Sequence, residues 1–162
     1  MELLSQLHPP MVHFAIALVM IGVFFDIAGF VLKKDHLKHA GFWTIVFGML
    51  AVWGAAFTGH QAEELVEEAI KGTAAYELLE KHEEIGEILP WAVTVLGLLR
   101  IYLFFKSKDL LFIVYLIAGI VVAGVIGLQG RIGGKLVYEH GVGVKGKGVQ
   151  IQEKYHNHED EE

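Results

Sequence analysis

Four stretches of this chain are long, apolar and almost free of charge, and they limit what it can fold into. They cover residues 11–32, about 40–59, about 88–105 and 110–129. Each has the ~20 residues that a helix needs to cross a ~30 Å hydrocarbon core. Lipid offers no partner to a free backbone N–H or C=O, so each run is expected as a helix, which satisfies these groups internally. Composition agrees: 20% of the residues are charged and the mean hydropathy is +0.48, whereas a soluble domain carries about 25% charge. The fold expected is all-α, an integral membrane bundle of four transmembrane helices. An ordinary soluble enzyme, a disordered chain and a nucleic-acid binder are excluded. A net charge of −6 leaves no basic footprint for nucleic acid.

The first run follows Glu2 rather than a basic region, is too long for a signal-peptide core and lacks a small-residue cleavage site. It is therefore expected to be retained. Orientation follows from lysine in the short loops. Lys33, Lys34 and Lys38 lie between spans 1 and 2, and Lys106 and Lys108 between spans 3 and 4. The segment between spans 2 and 3 is instead rich in glutamate (Glu63, Glu64, Glu67, Glu68, Glu77, Glu80, Glu83, Glu84, Glu87). The lysine loops are expected on the cytoplasmic side of an inner (plasma) membrane, with the acidic segment and both termini outside.

The expected organisation is a transmembrane domain over residues 1–130. It includes a helical hairpin over 61–87, with a turn at Gly72 and Thr73 as N-cap of a helix that runs into span 3. Pro90 is expected to bend that helix near the membrane surface, where Trp91 suits an aromatic belt. Residues 131–155 are Gly-rich with alternating apolar residues and read as an extended or hairpin element. Residues 156–162 read as an acidic tail.

The chain has no cysteine, which excludes disulfides, iron–sulfur clusters, Cys-type zinc sites and c-type haem attachment. Any metal or haem must be held by His, Met or carboxylates. Five of the nine histidines fall at the outer end of the expected bundle: His8 and His13 at the start of span 1, His60 at the end of span 2, His82 before span 3 and His140 after span 4. A lone histidine at a helix end is usually a cap or an interfacial residue. Five drawn from all four spans point to a shared site, because bundles build ligand sites from side chains on facing helices. His13 stands out, because Pro9 and Pro10 suit first helical positions and place it in the first turn or two. His36 and His39 lie beside lysines and read as solvated; His156 and His158 lie in the tail.

A second constellation lies inside the spans. Asp26 and Arg100 each sit about 15 residues, or roughly 22 Å, from the outer edge of their spans. An unpaired charge at that depth costs about 2.5–3.5 kcal/mol on insertion scales. Pairing relieves the cost, and the expected role is a clamp between spans 1 and 3. The competing possibilities are a proton- or quinone-related role, a partner for a cofactor propionate, or an Arg100 that snorkels to the lysine side. The small residues of span 4 (Gly119, Gly124, Gly127, Gly130) favour tight helix packing.

The opening LHPPMVHFAIAL, with Asp26, GAAFTGH at the end of span 2, His82 and Arg100, resembles a bacterial and archaeal family of small four-span membrane proteins of unknown function. Its usual opening is His-Pro-x-x-Val-His-Phe-Pro-Ile-Ala-Leu, and this chain has Ala15 in place of the second proline. The similarity covers most of residues 7–130. Relatives are sometimes joined to rubredoxin-like or cytochrome c domains, and that association implies redox chemistry with bound haem b. The carry-over reaches His8, His13, Asp26, His60, His82 and Arg100; His140 rests on topology alone.

The function expected first is a membrane-bound b-type haem protein that carries electrons on the outer side. His8, His13, His60, His82 and His140 are its candidate ligands, and the partner is a cytochrome or rubredoxin-like protein. The alternative is a non-haem Zn, Cu or Fe site on His8, His13, His60 and His82 with Glu63, Glu64 or Glu83, for which imidazole is suitable; the metal-ligand set expected overall is His13, His60, His82 and His140. A third possibility is a structural or assembly subunit without a cofactor. Self-association is open to all three. The sequence offers no nucleophile–base pair and no phosphate loop, so an electron-transfer or binding role is favoured over that of a stand-alone enzyme.

Overall fold

The structure is a computed structural model and describes residues 2–106 and 108–144. Six helices follow one another: α1 (Glu2–Gln6), α2 (His8–Val31), α3 (Asp35–Glu63), α4 (Glu67–Ile70), α5 (Ala74–Phe105) and α6 (Asp109–Tyr138). There is no strand among the described residues. α2, α3, α5 and α6 are each long and apolar enough to cross a membrane, so the chain is an all-α, multi-pass membrane bundle. α5 has 32 residues, which makes it roughly 48 Å long and longer than a ~30 Å core requires. Its apolar part, residues 88–105, spans the membrane. Its first turns, which carry Glu77, Glu80, Lys81, Glu83, Glu84 and Glu87, stand above it.

α2 and α3 form the tightest pair, joined by a short turn in which Lys33 has a φ of 54°. Glycines let them approach. A Cβ on Gly22 would meet Ile45 at 2.8 Å, and one on Gly48 would meet Val19 at 3.0 Å. Close approach through small residues is the usual way for helices to associate where lipid is as apolar as the side chains. The central core is Ala15, Val19, Val23, Ile45, Val52, Leu89, Val93 and Ile126. A second cluster, Leu96, Leu103, Tyr115 and Leu116, closes the lysine end. Large apolar side chains such as Phe14, Phe24, Phe57, Trp91 and Val95 point outward, as suits a surface solvated by lipid.

The connection between α3 and α5 differs in detail from the expected hairpin. α3 runs on to Glu63, so the first outer helix shrinks to the single turn of α4. Thr73 does occupy the N-cap of α5, but its hydroxyl donates to the Ile70 carbonyl at 2.6 Å and does not cap α5. α5 continues unbroken through Pro90.

The extended element expected from residue 131 is corrected more substantially, because α6 continues to Tyr138. Glycine weakens a helix in water, where the freed backbone is solvated. Here the glycines allow close packing instead. Gly133 lies against the His82 ring, and Leu136 packs with Ile70, Ala75 and Leu79. Residues 139–144 leave the helix through turns, with Gly141 and Gly143 at positive φ. The rest of the Gly-rich segment and the acidic tail lie outside the described residues.

Candidate functional site: the acidic end of the bundle

The start of α2, the end of α3, the projecting turns of α5 and the end of α6 meet at the acidic end, and each brings polar side chains. On the rim, His60, Glu63 and Glu83 each place one ligand atom within 4.8 Å of the others'. His60 and Glu63 are one helical turn apart on α3, and Glu83 reaches them from α5. The His60 Nε2 also lies 3.6 Å from Glu64 Oε1. The Glu63 carboxyl is pushed up to about 8. Burial is the largest cause, followed by a hydrogen bond with Glu83 and the charges of Glu83, Glu67 and Glu87. Two crowded carboxylates resist holding two negative charges, and one retains a proton.

The sign of the pH effect follows. Glu63 binds its proton more tightly in the folded chain than at its ordinary value of 4.5. The stability this proton contributes is complete below about 4.5 and is lost as pH rises through about 8. Unfolding midpoints of the metal-free protein in detergent should therefore fall across that window. Glu63→Gln should flatten the fall, and an unchanged slope in that variant would contradict this assignment.

Behind the rim lie two half-buried imidazoles. His8 opens α2 and packs into a notch in α3, where its ring rests on Gly59 with Cε1 2.9 Å from a would-be Cβ. Its Nδ1–H donates to the Ala55 carbonyl at 3.1 Å, and Thr58 Oγ1 lies at 3.4 Å. A carbonyl can only accept, so this contact places the proton on Nδ1 and the lone pair on Nε2. His82, above the membrane-spanning part of α5, rests on Gly133 of α6. Its Nδ1 is buried and has no hydrogen-bond partner among the described residues. Burial pulls the His82 imidazole down to about 4, and the charge of nearby His8 adds to the effect. Burial likewise lowers His8, against the hydrogen bond to Ala55. Gln129 of α6 donates Nε2–H to the His82 carbonyl at 2.6 Å, and its Oε1 is buried with no hydrogen-bond partner among the described residues.

The structure therefore brings together His60, Glu63 and Glu83, and seats His8 against α3 at Gly59 and His82 against α6 at Gly133. It sets His13 apart. That residue is exposed, and its Nδ1–H donates to Pro9 O of its own helix at 2.6 Å. His140 is half-buried beyond the end of α6, and its ring makes no hydrogen bond with a described residue.

A model of one protein family matches residues 5–146, under the description "Predicted membrane protein (DUF2231)". The chain belongs to that family. No curated protein and no solved structure matches it. DUF2231 membership accords with the four apolar helices and assigns no activity.

At the lysine end this DUF2231 chain holds a second polar group. Arg100 donates Nε–H to Asp26 Oδ2 at 2.8 Å and Nη2–H to Asp26 Oδ1 at 2.9 Å. It also donates to the Lys38 carbonyl at 2.6 Å. Tyr115 donates its hydroxyl to Asp26 Oδ2 at 2.7 Å. The guanidinium lies beside the rings of Phe42, Phe112 and Tyr115. Asp26 and Arg100 are 0% and 3% exposed, so Arg100 does not snorkel. With every Asp26 oxygen bonded and the aromatic rings closed round the guanidinium, the group is a clamp across α2, α3, α5 and α6. Tyr115 and the Lys38 carbonyl are the members that sequence reasoning missed.

Proposed function

We propose that this protein binds a transition-metal ion at the acidic end of its bundle, facing the outside of an inner (plasma) membrane. The observation that carries the reading is the convergence of His60, Glu63 and Glu83 from two helices. Ligand atoms lie about 2.0–2.2 Å from an ion such as Zn²⁺, so a set within 4.8 Å needs only side-chain torsion to close. A divalent ion would also relieve the repulsion that now keeps a proton on Glu63. One imidazole with two carboxylates suits Zn or Fe, and copper less well. Haem iron takes imidazole, thiolate, thioether or phenolate ligands, so this rim set selects a bare ion. With iron bound, the protein would pass electrons to a basic soluble partner drawn to the acidic surface, of the cytochrome or rubredoxin-like kind. The lysine loops support the orientation, which puts both termini outside.

The test is metal binding by the purified full chain in detergent, with Zn²⁺ and Fe²⁺ as probes. One ion per chain is expected at the rim. The triple variant His60→Gln, Glu63→Gln, Glu83→Gln should bind it more than ~100-fold more weakly, exceeding the usual loss for an outer-shell partner. Equal affinity in the triple variant would overturn the assignment.

A further inference from the structure

The metal reading leaves the lysine end of the bundle unused. Lys33 and Lys34 lie between α2 and α3, and Lys106 and Lys108 between α5 and α6. Aromatic contacts draw these two connections side by side. Phe30, near the end of α2, meets Phe112 at the start of α6, with ring centroids 5.8 Å apart. Phe104, at the end of α5, stacks on Phe42 of α3 at 4.2 Å and meets His39 edge-on at 5.6 Å. Arg100 adds its hydrogen bond to the Lys38 carbonyl. Four helix ends thus close into one floor, with lysines on both connections.

Lys33, Lys34, Lys106 and Lys108 are exposed, and none forms an ion pair among the described residues. Lys38 lies 3.2 Å from Asp35, and Asp109 opens α6. Five lysines against these two aspartates leave the end positive. Next to the exposed lysines in the chain stand Val31, Leu32, Phe105 and Leu110, all exposed as well. Cations at the edge of an apolar surface match a molecule that joins an anionic head to acyl chains.

Lysine in short loops orients a membrane protein, but that role needs only charge on one side. The backbone at Lys33 points to a further role. Its N–H donates to the Phe30 carbonyl at 3.4 Å, and the Lys34 N–H to the Gly29 carbonyl at 3.0 Å. This pair of bonds usually closes a helix on glycine, because the residue between them takes a positive φ. Here Lys33 takes it, at 54°, where a Cβ is strained and glycine would not be. Strain kept at one residue points to a use for its side chain, and the Lys33 side chain offers an ammonium.

We propose that this end binds an anionic phospholipid, with Lys33, Lys34, Lys106 and Lys108 as the cationic floor under its phosphate. Val31, Leu32, Phe105 and Leu110 receive its acyl chains. The apolar flank favours a lipid over free phosphate. The site shares no residue with the rim and holds whichever face of the membrane the lysines occupy.

The full chain in neutral detergent is titrated with phosphatidylglycerol, phosphatidylcholine or inorganic phosphate, and bound species are counted by native mass spectrometry. Phosphatidylglycerol should bind at least ~10-fold more tightly than phosphatidylcholine, and phosphate should neither bind nor compete. One basic residue near anionic headgroups is worth about fivefold in affinity, so Lys33→Gly should weaken phosphatidylglycerol by that factor. The same variant relieves the left-handed strain, so it should unfold at or above the parent's temperature. Adding Lys34→Gln, Lys106→Gln and Lys108→Gln should bring phosphatidylglycerol down to the phosphatidylcholine level. Arg131→Gln with Lys135→Gln, at the acidic end, should leave the preference intact.

The lipid site is wrong if the parent shows no preference, if the four-lysine variant keeps it, or if phosphate binds as well as the lipid. A Lys33→Gly protein that is less stable and keeps full affinity would overturn it too, since the lysine would then serve the turn alone. None of these results touches the rim assignment, which is read with Zn²⁺ and Fe²⁺ in a different variant.

Discussion

Asp26→Ala should be the most damaging single substitution of a charged residue in this protein, costing about 3–5 kcal/mol of stability. Three hydrogen bonds end on its two oxygens, two from Arg100 and one from Tyr115. Removing the carboxylate leaves a guanidinium 3% exposed with no counter-charge, and an orphaned buried charge is the costly case. Pairing itself is a different quantity, because burying both ions costs much of what their attraction returns. Replacing the pair together, as Asp26→Leu with Arg100→Met, should therefore recover most of the loss. Equilibrium unfolding in mixed micelles measures both. An Asp26→Ala protein within ~1 kcal/mol of the parent would show that the clamp carries little of the bundle's stability.

The comparison of depths that suggested this pair used only sequence position and the 1.5 Å rise of a helix. It worked because a charge inside an apolar run is conspicuous. Tyr115 was not conspicuous. In α6 the side chains facing lipid are as apolar as those facing the bundle, so no alternation marks which face turns inward. Ile113, Val114 and Ile117 are exposed while Tyr115 is fully buried. A tyrosine in such a run has a hydroxyl to satisfy, and that was the available signal.

The histidines illustrate the same limit. Their gathering at one end followed from the spans and the lysine loops. Which of them turn inward depends on where each helix starts. α2 begins at His8 itself, before the apolar run, and positions five apart on a helix face different ways. His8 therefore enters the notch at Gly59, while the more prominent His13 points outward. Gln129 escaped notice because its hydrogen bond to the His82 backbone is a tertiary fact. The C-terminal glycines misled for a related reason. Their low helix propensity describes a solvated backbone, whereas α6 keeps its helix to Tyr138 by packing on α4 and α5.

Gly41 ties the glycine packing to the clamp and gives the second large effect. A Cβ there would stand 2.5 Å from Asp26 Oδ1 and 2.6 Å from its Cγ, closer than real contacts allow. Gly41→Ala must therefore push α3 off α2 or drive the Asp26 carboxylate off the Arg100 fork. Overpacking alone costs about 1–3 kcal/mol; with the buried pair disturbed as well, the loss should reach ~3 kcal/mol or more. The control is Gly124→Ala on α6, where a Cβ meets nothing within 4 Å and the change should be neutral or stabilising by up to ~1 kcal/mol. The two sites in the clamp should also couple. With Asp26→Ala already in place, the methyl at position 41 meets a smaller side chain and no charge, so Gly41→Ala should cost ~0.5–3 kcal/mol less than in the parent. A coupling of that size means the glycine is there to admit the carboxylate. Additive losses would mean that it serves only helix approach, and equal stability of Gly41→Ala and Gly124→Ala would remove both explanations.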